Sequence, residues 1–312
     1  MGYKYRFTVF TPAYNRAYII EKLYMSLKAQ SYRDFEWLVV DDGSTDNTKE
    51  LFNRFLQEND FPINYVCIPN GGKHRAINVG VQQAKGELFF IVDSDDYIVD
   101  DALEILDKIE HSIPKLGTSK YSGIRALRGY SKTDVIGTRF PGGRITDMTQ
   151  LEEARFGVTG DKCEAFYTDI MKQYPFPEFD GEKFLTECVV WDKMAADGYK
   201  NKCINQIIYI CNYLSDGLTA GKTNHQKESP KGTGLYIYQS IKYKKITGWE
   251  RRYTVRNYCQ QHRDKNTLGE IAAYLHTSKY LLWVYLKYID IMIVIRQKRK
   301  GIMRRIGLNS SK

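Results

Sequence analysis

Residues 87–96 read ELFFIVDSDD, an apolar run that ends abruptly in one serine and three carboxylates. The run has no alternation of polar residues, which is typical of a strand buried on both faces of a sheet. Three earlier runs share this pattern: Tyr5–Phe10 (YRFTVF), Phe35–Val40 (FEWLVV) and Ile63–Ile68 (INYVCI). A polar turn follows each of them. The first hundred residues therefore predict four buried strands separated by loops.

The segments between these runs have helical spacing. Apolar residues recur at i, i+3 and i+4 in two sets, Ile20, Leu23, Tyr24 and Leu27, then Leu51, Phe52, Phe55 and Leu56. Such spacing gives each helix one apolar face to lay on a sheet. Alternating strands and helices predict an α/β fold with a Rossmann-like, mostly parallel central sheet and helices on both faces.

Further along the chain the pattern becomes less regular. We predict a helix over 101–111, irregular Gly-rich strands over 117–145, a helix over 183–197 and a strand over 203–211. A Gly, Ser, Lys and Thr-rich linker is expected over 215–234. Beyond it the chain reads as a C-terminal helical extension. Six cysteines without a CxxC pair argue against a zinc ribbon or a disulfide scaffold.

Charge divides the chain into an acidic body and a basic end. Residues 1–221 contain 26 Lys and Arg against 32 Asp and Glu, and residues 222–312 contain 20 against 5, which together give the net charge of +9. We therefore expect three regions: two halves of one domain, 1–100 and 101–221, and a basic helical region, 222–312.

Polar side chains follow all four N-terminal strands where each one ends. The loops are 11–16 (TPAYNR), 41–48 (DDGSTDNT), 70–75 (NGGKHR) and 93–96 (DSDD). Since the carboxyl ends of parallel strands share one edge, these loops are expected to form a single ligand site.

The residue types in these loops indicate phosphate and metal chemistry. Asp93 and Asp95, one residue apart, could hold Mg²⁺ or Mn²⁺, which takes one or two carboxylates with phosphates and water. The alternative is a solvated turn that caps the next helix. Asp41 and Asp42 could accept hydrogen bonds from a base or a ribose, or form an ordinary turn. Gly71 and Gly72 would let the backbone approach a phosphate next to Lys73.

Together these four motifs strongly resemble the family 2 glycosyltransferases of GT-A fold, in the family's order and spacing over the first third of the chain. The resemblance implies a nucleotide-sugar donor bound over the first half of the sheet and a divalent metal, Mn²⁺ or Mg²⁺. The donor is most often UDP-linked in this family, although GDP or dTDP could satisfy the same loops. The implied metal ligands are Asp95 and Asp93. The implied nucleotide-sugar-binding residues are Thr11, Pro12, Ala13, Tyr14, Arg16, Asp41, Asp42, Gly72, Lys73, Asn78, Asp93 and Ser94.

The acceptor side is expected from the second half of the chain. Members of the family often carry a Glu-Asp pair before a helix that ends in Gly-Tyr-Lys. Here Gly198-Tyr199-Lys200 is present and the pair is replaced by Thr186-Glu187, so Glu187 is the expected catalytic base, with Glu182 and Asp192 as rivals. A carboxylate can take the proton of an acceptor hydroxyl during transfer. One displacement from the face opposite the leaving group predicts inversion of the anomeric carbon.

Two other function classes are compatible with parts of this sequence. A sugar-phosphate nucleotidyltransferase could use a similar sheet, although 11–16 lacks the Gly-rich basic signature expected of one. A sugar-nucleotide-binding assembly subunit without catalysis would need a broken metal or base site, whereas Asp93, Asp95 and Glu187 are all present.

The basic end has its own alternatives. Residues 280–295 read YLLWVYLKYIDIMIVI, an apolar run interrupted by Lys287 and Asp290, and 296–312 contain seven Lys or Arg and no acid. An interfacial helix on an anionic membrane is one interpretation and a helix packed on the catalytic domain is the other. No nucleic-acid motif is present, so no nucleic-acid partner is expected. The start, MGYKYRFTVF, has no signal pattern, and we expect a cytoplasmic protein, peripheral on the inner face of the plasma membrane through its basic end. The acceptor is expected to be a saccharide or a lipid-linked saccharide, in surface polysaccharide or glycolipid assembly.

Overall fold

The computed structural model describes residues 2–114, 120–212 and 224–305; for 296–305 it describes the backbone only. The chain divides into two compact units, Met1–Ser229 and Pro230–Lys312. Residues 215–223 of the predicted linker lie outside the described residues. The rest was predicted wrongly, because 224–228 are helical and a further helix begins at Pro230.

The first unit alternates strands and helices. Its strands are β1 (Tyr5–Ala13), β2 (Phe35–Asp41), β3 (Ile63–Cys67), β4 (Gly86–Ile91), β5 (Tyr97–Ile98), β6 (Lys120–Gly129), β7 (Ile145–Met148), β8 (Lys162–Tyr167) and β9 (Tyr199–Ile210). Its helices are α1 (Glu21–Lys28), α2 (Thr48–Glu58), α3 (Lys73–Gln83), α4 (Ala102–Glu110), α5 (Gln150–Arg155), α6 (Thr168–Gln173) and α7 (Cys188–Ala196).

All of the described strands belong to one sheet. The order is β3-β2-β1-β4-β8-β6-β9-β5, and β7 pairs with β9. The first four strands are mutually parallel, whereas β8 is antiparallel to both β4 and β6, and β6 and β9 are parallel. The order reverses between β1 and β4, which opens a crevice at their carboxyl ends. This mixed α/β architecture confirms the predicted fold class.

Aromatic packing explains why the N-terminal strands are buried. Every residue of β2 is buried, so both faces of the sheet are covered at that strand. On one face, Trp37 lies among the rings of Tyr24, Phe52 and Phe55, and Tyr24 stacks on Phe55 with ring centroids 3.9 Å apart. Helices α1 and α2 are thereby fixed on the sheet by the apolar faces that the sequence predicted.

Two predictions for the second half were wrong in detail. The predicted helix over 183–197 is shorter: α7 begins at Cys188, and the preceding residues are not helical. Over 117–145 several irregular strands were predicted, whereas the structure has one ten-residue strand, β6, inside the sheet between β8 and β9; its pairing with β9 is irregular, with three register shifts. Both differences come from pairing with distant segments, which local sequence patterns do not contain.

The second unit is helical. Its helices are α8 (Pro230–Lys242), α9 (Gly248–His262), α10 (Leu268–Tyr274) and α11 (Lys279–Arg305). Ile237, Val255, Tyr258, Ile271 and Leu282 form much of its small core. The C-terminal helical extension is therefore present. No helix in the described ranges combines the length and apolar character needed to cross a bilayer.

Candidate active site

The strand register brings the four predicted loops to one edge of the sheet. Ala13 of β1 pairs with Asp41 of β2, Asp41 pairs with Cys67 of β3, and Phe10 of β1 pairs with Ile91 of β4. Because these strands are parallel and in register, the polar residues that follow them start at the same level. The common edge that the sequence predicted is present.

Hydrogen bonds join the first two loops. The Asn15 N–H donates to Ser44 Oγ at 2.8 Å, and the Thr45 N–H donates to Asn15 Oδ1 at 2.7 Å. Asn15 has a positive φ of 53°, a conformation that Asn adopts more readily than most residues. The loop after β1 is therefore held against the loop after β2.

The first loop also shows which predicted residues can face a ligand. Thr11 is fully buried, and its Oγ1 accepts a hydrogen bond from Trp37 Nε1 at 2.9 Å. Ala13 is buried, Pro12 and Arg16 are partly buried, and Tyr14 is exposed. Thr11 therefore positions the strand, while Tyr14 and Arg16 remain accessible at the edge.

Asp41 and Asp42 are engaged in organising these loops. Asp42 Oδ1 accepts from the Gly71 N–H and Asp42 Oδ2 from the Gly72 N–H, each at 2.7 Å. Burial raises the pKa of Asp42 despite these two hydrogen bonds. Asp41 accepts from the Ser44 N–H at 2.7 Å and from the Tyr65 hydroxyl. Both carboxylates thus fix the loops after β2 and β3.

Lys73 connects the donor motifs to the expected base. Its Nζ lies 2.6 Å from Asp93 Oδ1 and 2.9 Å from Glu187 Oε1. Burial acts to raise the pKa of Glu187, but the charge of Lys73 and its hydrogen bond outweigh burial, and the pKa is lowered. Glu187 immediately precedes α7, where the helix dipole also favours a negative charge. The structure therefore holds an ionised Glu187 beside the Asp93 motif.

Arg128 and Tyr209 hold the other side of Asp93, and neither was predicted from the sequence. Arg128 Nη1 lies 3.3 Å from Asp93 Oδ2, and the guanidinium stacks on the Tyr209 ring at 4.2 Å. The Asp93 N–H donates to the Tyr209 hydroxyl oxygen at 2.9 Å. Burial works against ionisation of Asp93, but Lys73 and Arg128 lower its pKa overall. No motif in β6 or β9 marks these residues, because both strands also contain other polar side chains, among them Arg125 and Lys202.

Arg128 belongs to a longer buried network of charges. Its Nη2 lies 3.9 Å from Glu164 Oε2, and Glu164 Oε1 accepts from Arg125 Nη2 at 2.8 Å. Arg125 also donates to Glu153 at 2.6 Å. Buried charges are tolerated when they are paired in this way. The network fixes the second half of the sheet beneath Asp93.

Asp95 differs from Asp93 in having few protein partners. Within the described residues its carboxylate accepts no hydrogen bond from another side chain, and burial together with the nearby Asp93 charge raises its pKa. Ser94 is buried. Asp96 accepts from the Asn212 N–H at 2.8 Å, and burial and Asp93 raise its pKa to about 7. Asp93 has cationic partners and Asp95 has no ion-pair partner among the described residues. Such a pair of carboxylates fits a divalent cation that is also bound by phosphate. Across 2–114, 120–212 and 224–305, no group of three or more His, Cys, Asp or Glu side chains could hold a metal ion.

Helix α3 holds the segment that leads to Glu187. Arg75 Nη2 donates to the Phe179 carbonyl at 2.9 Å. The Asn78 side chain donates to the Phe176 carbonyl at 2.9 Å and accepts from the Phe176 N–H at 2.8 Å. Asn78 is therefore engaged by this segment rather than by the loops at the sheet edge, and we do not retain it as a donor-binding residue. The segment 176–187 is irregular, with a turn at 180–181 in which the Glu182 N–H donates to the Phe179 carbonyl at 3.1 Å, and α7 begins only at Cys188.

The motif resemblance is confirmed by comparison with known proteins. Residues 8–112 match the family described as Glycosyl transferase family 2. The chain is 28% identical over 220 residues to Glycosyltransferase GlyA of Streptococcus pneumoniae serotype 4, an alignment that covers 69% of this chain and 30% of GlyA. The chain thus spans less than a third of that relative.

Solved structures share the fold over nearly the whole chain. Staphylococcus aureus TarS 1–349 in complex with UDP-GlcNAc is similar with a TM-score of 0.61 and 20% identity, covering 95% of this chain and 92% of that one. Mannosyltransferase PcManGT from Pyrobaculum calidifontis, in complex with GDP-Man and Mn²⁺, is similar with a TM-score of 0.54 and 18% identity, covering 94% and 87%. At these identities the similarity establishes the GT-A fold.

Proposed function

We propose that the chain, whose residues 8–112 match glycosyl transferase family 2, transfers a sugar from a nucleotide diphosphate sugar to an acceptor hydroxyl with inversion. The acceptor class that we propose is a saccharide or a lipid-linked saccharide, as expected for surface polysaccharide or glycolipid assembly. The donor class is a UDP-sugar, supported by the UDP-GlcNAc complex of TarS. The GDP-Man complex of PcManGT makes GDP the first rival nucleotide.

One observation carries the proposal: Lys73 contacts Asp93 and Glu187 at once. The donor motif and the expected base come from distant parts of the chain, yet both carboxylates lie against one ammonium group. A site for direct displacement needs a base on one side of the anomeric carbon and groups that accept the leaving diphosphate on the other. Residues of both kinds meet here.

The proposed reaction assigns each residue a role. The acceptor oxygen attacks the anomeric carbon while its proton passes to the Glu187 carboxylate. The bond between that carbon and the diphosphate oxygen breaks, and its electron pair stays on the diphosphate. Lys73 offers positive charge to that oxygen, and Asp93, held by Arg128 and Tyr209, orients the ribose. A divalent cation bound by Asp95 with Asp93 would neutralise further charge on the leaving group.

Nucleotide binding tests the donor site directly. We would titrate UDP, GDP, CDP and dTDP by calorimetry, each with and without Mn²⁺, into the wild-type chain and into Asp95→Asn. Metal-dependent binding of UDP that is lost in Asp95→Asn is the expected result. Asp100→Asn is the matched control, because its side chain is 70% exposed and lies five residues further on.

Transfer itself is measured with UDP-sugars. Release of UDP from one UDP-sugar, with NMR showing the opposite anomeric configuration in the product, is expected. Retained configuration would contradict the inverting displacement. Failure of every nucleotide to bind, with or without metal, would overturn the donor-site assignment.

A further inference from the structure

The last helix of the second unit, α11, packs only one of its sides. Leu282 and Ile289 are buried, with 3% and 1% of their surfaces exposed, and Tyr285 and Leu286 pack beside the core. These residues recur at the i, i+3, i+4 and i+7 spacing of a single helix face. One side of α11 therefore completes the core of the unit.

The opposite side is also apolar, and it faces solvent. Its exposed large apolar residues are Tyr280, Leu281, Trp283, Val284, Tyr288, Ile291, Val294 and Ile295, each 40–70% exposed. At 1.5 Å per residue they extend over about 22 Å of helix. An apolar surface of this length, interrupted by Lys287, marks an interaction site rather than ordinary surface variation. We call it the α11 stripe.

The charges in and beyond the stripe are positive. Lys287 is exposed within it. Asp290, the one acid in α11, lies 3.1 Å from Arg256 Nε and is neutralised by it. The helix continues from 296 to 305 with Arg296, Lys298, Arg299, Lys300, Arg304 and Arg305. An apolar stripe with two Tyr and one Trp therefore runs directly into a basic helical segment.

We propose that the α11 stripe binds the surface of an anionic lipid bilayer, with the helix lying in the plane of the interface. Apolar side chains would enter the boundary between headgroups and acyl chains, where Trp and Tyr are favoured. The long Lys287 side chain would extend to the headgroups, and the basic segment would contact anionic phosphates.

Charge favours this partner over a second copy of the chain. Residues 230–312 contain eighteen Lys and Arg and four Asp and Glu, a formal charge of +14. Pairing two stripes would bring two such surfaces together, and like charges repel. An anionic bilayer offers the opposite charge together with an apolar interior. The proposal does not require sugar transfer, so it stands or falls separately from the proposed function.

Vesicle flotation with the full chain tests it. We expect the protein to float with vesicles of equal parts phosphatidylcholine and phosphatidylglycerol and to remain unbound with phosphatidylcholine alone. Added salt should weaken binding, because salt screens the basic segment. Ile291→Ser, at a position 60% exposed, should lower the partition coefficient about tenfold through the lost apolar contact. Phe156→Ser in the first unit, where Phe156 is 66% exposed, is the matched control and should bind as wild type.

A second measurement reports on the depth of the stripe. On vesicle binding, lipids brominated in their acyl chains should quench Trp283 fluorescence, and Trp283→Phe should bind more weakly and lack that component of quenching. Equal binding by Ile291→Ser and wild type would overturn the proposal. So would a stable dimer in the absence of vesicles that Ile291→Ser dissociates, because a second copy would then occupy the stripe.

Discussion

Lys73 Nζ lies 2.9 Å from Glu187 Oε1, although 114 residues separate the two along the chain. The ammonium group keeps the Glu187 carboxylate ionised against the effect of burial, and it also contacts Asp93. A base that is deprotonated before the acceptor arrives is suited to accept a proton from a hydroxyl. This ion pair therefore links a loop of the donor motif to the acceptor side of the proposed site.

Replacement of Glu187 by Gln should separate transfer from donor binding. The amide keeps the size of the side chain but cannot take the acceptor proton, so we expect kcat to fall by roughly 10²–10⁴-fold. UDP binding by calorimetry should remain within a few-fold of wild type. Glu178→Gln is the control, since Glu178 lies in the same segment, is half-exposed and contacts Arg75 at 3.3 Å. An unchanged kcat in Glu187→Gln would transfer the role of base to Glu182 or Asp192.

Replacement of Lys73 by Met should shift the pH dependence of activity. Lys73 lowers the pKa of Glu187, so its removal should raise that pKa and leave the base protonated at higher pH. The acid limb of the profile of log kcat/KM against pH should therefore move to higher pH. Lys73→Arg keeps the charge and should leave the limb close to its wild-type position. An acid limb that does not move in Lys73→Met would show that Glu187 is not the group titrating there.

Much of the donor half could be predicted because its signals are local. Apolar runs predicted β1 to β4 to within a few residues, and the polar loops that follow them do meet at one edge. The side chains that complete the site are placed by long-range pairing instead. Arg128 reaches Asp93 only because β6 lies inside the sheet, and this position depends on strands far away in the sequence.

Long-range contacts also explain why the helix predicted over 183–197 begins only at Cys188. Helical spacing favoured a helix from residue 183, but distant residues bind its first positions: Lys183 Nζ donates to Asn70 Oδ1 at 2.6 Å, and the Phe184 N–H donates to Ser229 Oγ at 3.2 Å. Propensity is a weak determinant when tertiary contacts oppose it. Asn78 shows the same effect for function. Its position in the motif predicted donor binding, whereas its amide forms hydrogen bonds with Phe176 in the segment that leads to Glu187.

Replacement of Arg128 by Met should damage both stability and donor binding. Arg128 is nearly buried, lies between Asp93 and Glu164, and donates through Nε to the Lys162 carbonyl at 3.0 Å. Removal of one partner from a buried ion pair costs about 3–5 kcal/mol. Urea unfolding should show a loss of that order, and kcat/KM should fall because Asp93 is no longer held. Arg139→Met, at an exposed position, should leave both close to wild type.

Rescue by lysine distinguishes charge from geometry at this position. Arg128→Lys restores a positive charge but lacks the planar group that stacks on Tyr209 at 4.2 Å and reaches the carboxylates of Asp93, Asp96 and Glu164. We expect partial recovery of stability without recovery of kcat/KM. Full recovery of both in Arg128→Lys would contradict a positioning role for the guanidinium.

His74 should make stability dependent on pH. Its side chain is buried, its Nδ1 has no hydrogen-bond partner among the described residues, and burial lowers its pKa from 6.5 to about 4. Between those values the unfolded chain binds the proton and the folded chain does not, so stability falls as pH falls. The contribution of His74 to the free energy of unfolding should be about 2 kcal/mol lower at pH 5 than at pH 7. Urea titrations of wild type and His74→Gln at both pH values measure it; equal pH dependence in the two proteins would contradict it.

Replacement of Gly72 by Ala tests how closely the donor loop approaches the segment before Glu187. Gly72 has φ +98° and ψ 158°, a region that residues with a Cβ rarely adopt, and an added Cβ would lie 1.9 Å from the Lys183 carbonyl oxygen. Strain of this kind costs about 1–3 kcal/mol, and the displaced carbonyl adds to it. We expect a large loss of stability and of kcat, because Lys183 leads directly to the base.

Gly181→Ala is the matched control for that prediction. Gly181 has a positive φ of +78°, but an added Cβ would meet nothing within 4 Å. It should therefore lose about 1–2 kcal/mol of stability from backbone strain alone and keep most of its activity. Urea unfolding and initial-rate measurements on the two variants separate strain from contact. A loss of kcat in Gly72→Ala that Gly181→Ala does not show would link the donor loop to the base. Equal losses of stability and kcat in both variants would mean that the close approach of Gly72 to Lys183 does not position Glu187.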